Sequence, residues 1–203
     1  GGEALDVADG PAVRGLGAVL VISLLGLSYR LTLIPKAFTS VVYRRIKDIP
    51  GSKTILIALA WGAVTSVLPP ISIFGTYGAV NAFIFAWSTA LVFVRTAFFD
   101  ILDMQGDRLV GKETIPILLG EKRSLRLLKG LLAGLVIGLP VLSALTPVPA
   151  FAVSLSLCPA VMFGVLLAFE RGLLLPGVRL EFLVESHLVL AGVLALGWRL
   201  AGF

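Results

Sequence analysis

Two long stretches of this chain contain no Asp, Glu, Lys or Arg: residues 54–94 and residues 130–169. Each is about twice the roughly 20 residues that one membrane-crossing helix needs. Each is also punctuated near its middle, the first by Pro69, Pro70, Gly75 and Gly78, the second by Pro147 and Pro149. Proline and glycine at those places predict two helical hairpins, each turning on an apolar side. A soluble bundle helix would carry a polar face, and these stretches carry none.

Two further apolar segments complete the pattern. One runs from about Arg14 to Ile34; the other lies near the C-terminus and contains His187 and Arg199. The expected spans are about 14–34, 54–72, 77–97, 126–145, 149–169 and 184–202. Composition agrees: 58% of residues are hydrophobic and 14% are charged, and the mean hydropathy is +1.01. That is far from an ordinary soluble domain. The expected fold class is therefore all-α, a multi-span transmembrane helical bundle in a lipid bilayer. It forms one domain over residues 1–203, with a polar cap on its inner side made of loops 35–53 and 98–125.

The formal net charge is +5, and its distribution matters more than its size. Lys36, Arg44, Arg45, Lys47 and Lys53 share one loop, and Arg95 to Lys129 holds seven basic residues. Arg171 and Arg179 lie in the short loop before the last span, while the turns near Pro70 and Pro147 are uncharged. If six spans alternate, all three basic loops fall on one side, as the positive-inside rule requires. The basic balance thus speaks for membrane orientation and phosphate handling, and no nucleic acid is expected as a partner. Cys158 is the one cysteine, so neither an intrachain disulfide nor a cysteine zinc site is available.

The chemistry concentrates in RTAFFDILDMQGDRLVGKETIPILLG, residues 95–120. Asp100, Asp103 and Asp107 stand at i, i+3 and i+7, a spacing that puts them on one helical face with helical character expected up to Gly106. Carboxylates beside a hydrocarbon layer are costly and tend to be functional. Asp103 and Asp107 suit magnesium, which takes one or two protein carboxylates along with phosphate oxygens and water. Asp100 is placed to ligate or to support. Arg108 and Lys112 follow and can take the remaining phosphate charge; Arg95 either snorkels to the interface or points inward. A solvated acidic loop at the membrane edge is the plainer alternative.

A second polar segment reads YRRIKDIPGSKT, residues 43–54. Tyr43 and Lys47 are one helical turn apart, so a phenol and an ammonium can share a face and grip a diphosphate or orient an acceptor hydroxyl. An ordinary positive-inside loop would look the same. His187 is expected at the interface. Trp61, Trp87 and Trp198 belong to an interfacial belt or line a lipid cavity. Glu170, Glu181 and Glu185 are expected to be solvated loop charges.

With these residues in place, the chain resembles the UbiA superfamily of intramembrane prenyltransferases. The segment DILDMQGDRLVGKETIPILLG is similar to that family's second aspartate-rich motif. The pattern Asp-x-x-x-Asp, Arg, Gly-Lys-x-Thr-x-Pro, Leu-Gly falls on Asp103, Asp107, Arg108, Gly111, Lys112, Thr114, Pro116, Leu119 and Gly120. YRRIK resembles the family's Tyr-x-x-x-Lys motif on Tyr43 and Lys47, and KDIPGSKTILIALAWG looks like its bacterial branch. The resemblance implies magnesium-dependent transfer of a prenyl group from an isoprenyl diphosphate to an aromatic or lipophilic acceptor. A 4-hydroxybenzoate-like acceptor is the first expectation, in quinone or related isoprenoid biosynthesis. It further implies that Asp103 and Asp107, assisted by Asp100, hold Mg2+. Arg108, Lys112, Lys47 and more weakly Arg95 would contact substrate, with Tyr43 near the reacting centre. The location would be a bacterial inner membrane, with the polar loops cytoplasmic.

The family has nine transmembrane helices, and these six spans resemble the last six. Its first aspartate-rich motif, Asn-Asp-x-x-Asp-x-x-x-Asp, is absent from the sequence, and the chain opens in GGEALDVADGP without a methionine. The expectation is a piece of a longer parent whose missing N-terminal helices are its partners, with little activity alone. Two other functions compete: a transporter of an anionic solute, and a non-catalytic remnant of a prenyltransferase.

The charge pattern makes a topological prediction. In sealed inside-in vesicles, Pro50→Cys and Lys112→Cys should be reached by an impermeant thiol reagent only after the membrane is opened. Labelling of either from the outer face would reverse the orientation.

Overall fold

The structure is a computed structural model that describes residues 49–143 and 149–201, along with positions 16, 17, 19, 20 and 23. Tyr43, Lys47 and nearly all of the expected first span lie outside the described residues. From residue 52 onward the described chain is helical. The elements are α1 (Ser52–Ser66), α2 (Leu68–Phe74), α3 (Ala79–Leu102), α4 (Met104–Leu109), α5 (Ile115–Leu119), α6 (Glu121–Ser143), α7 (Pro149–Leu155), α8 (Leu157–Glu170) and α9 (Val178–Leu200). Among the described residues five stretches are long and apolar enough to cross a membrane: Ser52–Phe74, Ala79–Leu102, Glu121–Val141, Ala150–Glu170 and Val178–Leu200.

Four boundaries differ from the sequence expectation, one of them the start of α6 at Glu121, inside the expected loop 98–125 and five residues before the expected 126. Pro69 and Pro70 do not end the first hairpin arm. The backbone passes through Val67 in right-handed conformation, and the prolines fall in the first turn of α2, where a missing N–H costs nothing. The arm ends at Gly75, whose φ of 66° caps α2. The third expected span is longer at its far end, so Asp100 stands on a helix and not in the cap loop. The last span begins at Val178, earlier than the expected 184. Its first turns carry Arg179, Glu181 and Glu185, which their charge had assigned to a loop.

Helices in a bilayer gain little from excluding lipid and associate by close packing, which favours small residues at the contact. α1 follows that rule. Thr54, Ala58, Gly62 and Ser66 recur every fourth residue, and all four are buried. They make α1 against α3 the most extensive helix pair of the structure. At Gly62 the approach is closest: an added Cβ would lie 2.0 Å from Thr89 Oγ1 and 3.2 Å from the Phe85 ring.

Behind this pair lies a core shared by four helices, with Leu91, Val94 and Phe98 from α3, Leu128 and Leu132 from α6, Met162 and Leu166 from α8, and Leu180 and Val184 from α9. Phe98 and Phe169 meet edge-on at 5.2 Å. Trp87 is part of this core, not of an interfacial belt, whereas Trp61 is exposed. His187 is wholly buried, with Nδ1 on the Val184 carbonyl. Its expected interfacial place is corrected by the earlier start of α9, which carries it two turns into the bundle.

Gly62→Ala should therefore destabilise the protein by about 1–3 kcal/mol, the usual cost of overpacking. Thr89 is β-branched and has no easy rotamer escape. Thermal unfolding in detergent should show the loss, and Gly62→Ala with Thr89→Ala should recover most of it. An unchanged midpoint in the single variant would mean that α1 and α3 are not in this contact.

Candidate functional site

The polar side chains of the structure gather where α1 begins, α3 ends, and the short helices α4 and α5 connect α3 to α6. The carboxylate of Asp100, in the last turn of α3, accepts a hydrogen bond from Thr54 Oγ1 at 2.5 Å. Thr54 is itself almost fully buried, so the first turn of α1 presents its hydroxyl to the end of α3. The loop before α5 closes on the same place. Gly51 N donates to the Glu113 carbonyl at 3.2 Å. Gly51 has φ 73°, and a Cβ there would come within 2.4 Å of the Ile115 side chain. Only glycine meets both conditions.

Asp103 sits between α3 and α4 with φ −87° and ψ 1°. The hydrogen-bond ladder runs through it, from Asp103 N to the Phe99 carbonyl and from Asp107 N to the Asp103 carbonyl, both 2.9 Å. Helical character therefore continues beyond the expected Gly106, to Leu109. The three aspartates do not share one face equally. At 100° per residue, positions 100 and 107 differ by about 20°, and position 103 lies about 60° from the first and about 40° from the second. Asp107 is buried at 7% exposure, Asp100 is half-buried and Asp103 is exposed.

Asp107 is held by Lys112 twice: Nζ lies 2.8 Å from its carboxylate, and Lys112 N donates to its carbonyl at 3.0 Å. The Gly-Lys segment thus wraps back over the acidic turn. The hydrogen bond to Asp107, then its charge, then those of Asp103 and Asp100 raise the Lys112 ammonium above its ordinary range. Arg108 is exposed, and its Nη2 lies 3.8 Å from Met104 Sδ.

Arg95 is placed elsewhere. Its Nε donates to Glu185 Oε1 and Oε2 at 3.0 and 2.9 Å, its Nη2 pairs with the same carboxylate, and the guanidinium lies 5.1 Å from the Phe99 ring centre. Glu185 is thus the partner of a cation on α3, not a solvated loop charge; likewise Glu170 pairs with Lys129. Sequence reasoning missed Thr54 and Glu185. Both had a signal: a polar residue in register with a small-residue stripe, and an intramembrane arginine that requires a counter-charge.

Among the described residues no three His, Cys, Asp or Glu side chains come together as a metal cage, so the three aspartates do not form one ready-made set. The donor chemistry still fits a hard cation. Carboxylate oxygens suit magnesium, which binds through one or two of them and keeps water or phosphate on its other positions. Beneath the polar end, α1, α3 and α6 enclose an apolar groove of about 210 Å³ whose walls include Ile55, Ala58, Phe85, Ala90, Phe93 and Leu131. Ile55 follows Thr54 in the chain, so one wall of the groove comes from the same helix that bears the hydroxyl meeting Asp100.

The model of the UbiA prenyltransferase family matches residues 12–200. No curated protein and no solved structure matched the chain.

The Lys112 contact has a pH consequence. A lysine whose folded pKa lies above its unfolded value contributes stability below the unfolded value and loses it as pH rises through the folded one. Lysine-selective NMR should find Lys112 titrating above the ordinary 10.5, and Asp107→Asn should bring it back. An unchanged titration in that variant would remove Lys112 from Asp107.

Proposed function

The chain belongs to the UbiA prenyltransferase family, and we propose that it transfers a prenyl group from an isoprenyl diphosphate to an aromatic acceptor of the 4-hydroxybenzoate kind. The observation that carries this reading is the acidic turn from Asp100 to Asp107, held by Thr54 and Lys112 at the end of α3, the helix that with α1 also walls an apolar groove. An amphiphile with a diphosphate head and a hydrocarbon tail matches both halves. In this reading Asp103 and Asp107 hold magnesium and Asp100 orients the turn. When bound, the metal supplies positive charge to the departing diphosphate. Arg108, Lys112 and Lys47 take its remaining negative charge as the carbon–oxygen bond lengthens. Arg95 is committed to Glu185, and we give it no diphosphate oxygen.

Lys112 and Asp107 then share a task. Their ion pair is complete in the structure, and the exposed ammonium could turn from the carboxylate to a phosphate oxygen, leaving Asp107 as the residue that would hold the metal. Tyr43 orients the acceptor. The apolar groove receives the first isoprene units and keeps water from the electron-poor allylic carbon. The site would serve quinone or related isoprenoid synthesis on the cytoplasmic face of a bacterial membrane.

The assay uses the chain in proteoliposomes, alone and co-expressed with helices bearing an Asn-Asp-x-x-Asp motif, with magnesium, prenyl diphosphate and 4-hydroxybenzoate. Product should form in the co-expressed preparation, and chromatography reads it. Asp103→Asn and Asp107→Asn should each lower turnover roughly a hundredfold, the scale of losing one charge-stabilising group. Asp100→Asn should cost roughly tenfold, as an orienting residue does. Full turnover in the Asp103 and Asp107 variants would dismiss the metal assignment. Transport of a labelled anion without prenyl transfer would replace the enzyme with a transporter.

A further inference from the structure

A second polar groove lies at the same end of the bundle, between the first turns of α6 and the last turn of α8. It measures about 400 Å³ and is lined by Glu121, Lys122, Leu125, Arg126, Phe169 and Glu170. None of these residues belongs to the acidic turn. The sequence EKRSLRLLKG, residues 121–130, puts Lys122, Arg123, Arg126 and Lys129 within eight positions.

The charges around this groove are not balanced. Lys129 is paired with Glu170, which removes the carboxylate from the α8 side. No carboxylate of the described residues pairs with Lys122, Arg123 or Arg126, and all three are exposed. Arg126 Nε donates only to the Lys122 carbonyl at 3.4 Å, which keeps its guanidinium beside Lys122 on the groove side. Glu121 alone opposes three cations. The cations also crowd the first turns of a helix, where the backbone dipole disfavours positive charge. Nothing inside the described chain relieves that.

The floor of the groove is apolar and firm. Leu125 is buried, and Phe169 is fixed by its edge contact with Phe98. Both walls are ends of candidate membrane spans, so the groove opens at headgroup depth. An unbalanced pair of cations above an apolar floor at that depth complements one kind of molecule.

We propose that this groove binds the headgroup of an anionic phospholipid. Its phosphodiester lies on Lys122 and Arg126, Arg123 adds charge from the rim, and the acyl chains run down past Leu125 and Phe169. Juxtamembrane clusters of four or more Lys and Arg are a recognised electrostatic footprint for anionic lipid. Here the footprint has a cavity and a floor. The proposal is independent of prenyl transfer, and its test requires no turnover.

The protein is purified in mild detergent, exchanged into nanodiscs of equimolar phosphatidylcholine and phosphatidylglycerol, and released for native mass spectrometry. The wild-type chain should retain phosphatidylglycerol in preference to phosphatidylcholine. Lys122→Gln with Arg126→Gln should lower that retention at least tenfold, on the scale of roughly fivefold per charge. Arg171→Gln with Arg179→Gln removes two charges from the same end but outside the groove, and should leave retention unchanged. Lys122→Arg with Arg126→Lys should also keep it. Should the double glutamine variant not elute as a single species, the two single variants carry the test, each expected to lose severalfold. Absence of a preference in the wild type overturns the proposal. So does equal loss in both charge-removal variants, which would reduce the effect to net charge. Displacement of phosphatidylglycerol by farnesyl diphosphate would assign the groove to substrate and overturn it as well.

Discussion

A charge drawn into the edge of a hydrocarbon layer calls for a partner, because the layer offers no water to meet it. The described ion pairs obey this one constraint. Asp107 meets Lys112, Arg95 meets Glu185 and Lys129 meets Glu170, while Asp100 meets the hydroxyl of Thr54. Three of these four contacts join separate helices: α3 to α9, α6 to α8 and α1 to α3. The polar end therefore does more than carry a site. It ties together helices whose apolar lengths have little reason to choose one neighbour over another, since lipid and leucine are equally apolar.

The α1–α3 contact shows how packing and site depend on each other. The small stripe through Ala58 and Gly62 brings the two backbones close. Only then does a short side chain such as threonine reach the carboxylate of Asp100. A larger residue at Gly62 would push α1 outward and open the hydrogen bond several turns away. In the other direction, the bond fixes the axial register of α1 on α3, which a smooth small-residue stripe leaves free to slide by a turn. Packing sets the distance between the helices and the polar bond sets their register.

The long apolar elements were legible from the absence of charge, and the acidic turn from the local spacing of its aspartates. Both are signals that a short window of sequence carries. What was not legible came from pairings between distant residues. Glu185 looks like a loop charge until Arg95, on another helix, is known to face it; then the same residue becomes a reason for α9 to start earlier. Pro69 and Pro70 looked like a stop because proline ends most helices. Yet a right-handed Val67 lets the next segment begin with the prolines in its first turn. His187 was misplaced by the same error as Glu185, since moving the start of α9 moves every residue on it deeper.

The three aspartates divide their roles through geometry that spacing alone could not resolve. Three carboxylates that all faced one point would repel one another and resist joint ionisation. Three that were all drawn into the fold would leave no carboxylate open to solvent. The junction at Asp103, neither α3 nor α4, avoids both outcomes. It turns its own carboxylate to the exterior, and Asp100 and Asp107 stay on the inner face under Thr54 and Lys112. The two held carboxylates fix where the turn stands relative to the apolar groove. The exposed one keeps its oxygens open to solvent. The motif thus has two carboxylates held within the fold and one open to solvent, and a membrane prenyltransferase needs a polar end fixed on an apolar body, because its substrate brings the charge and the hydrocarbon to the same point.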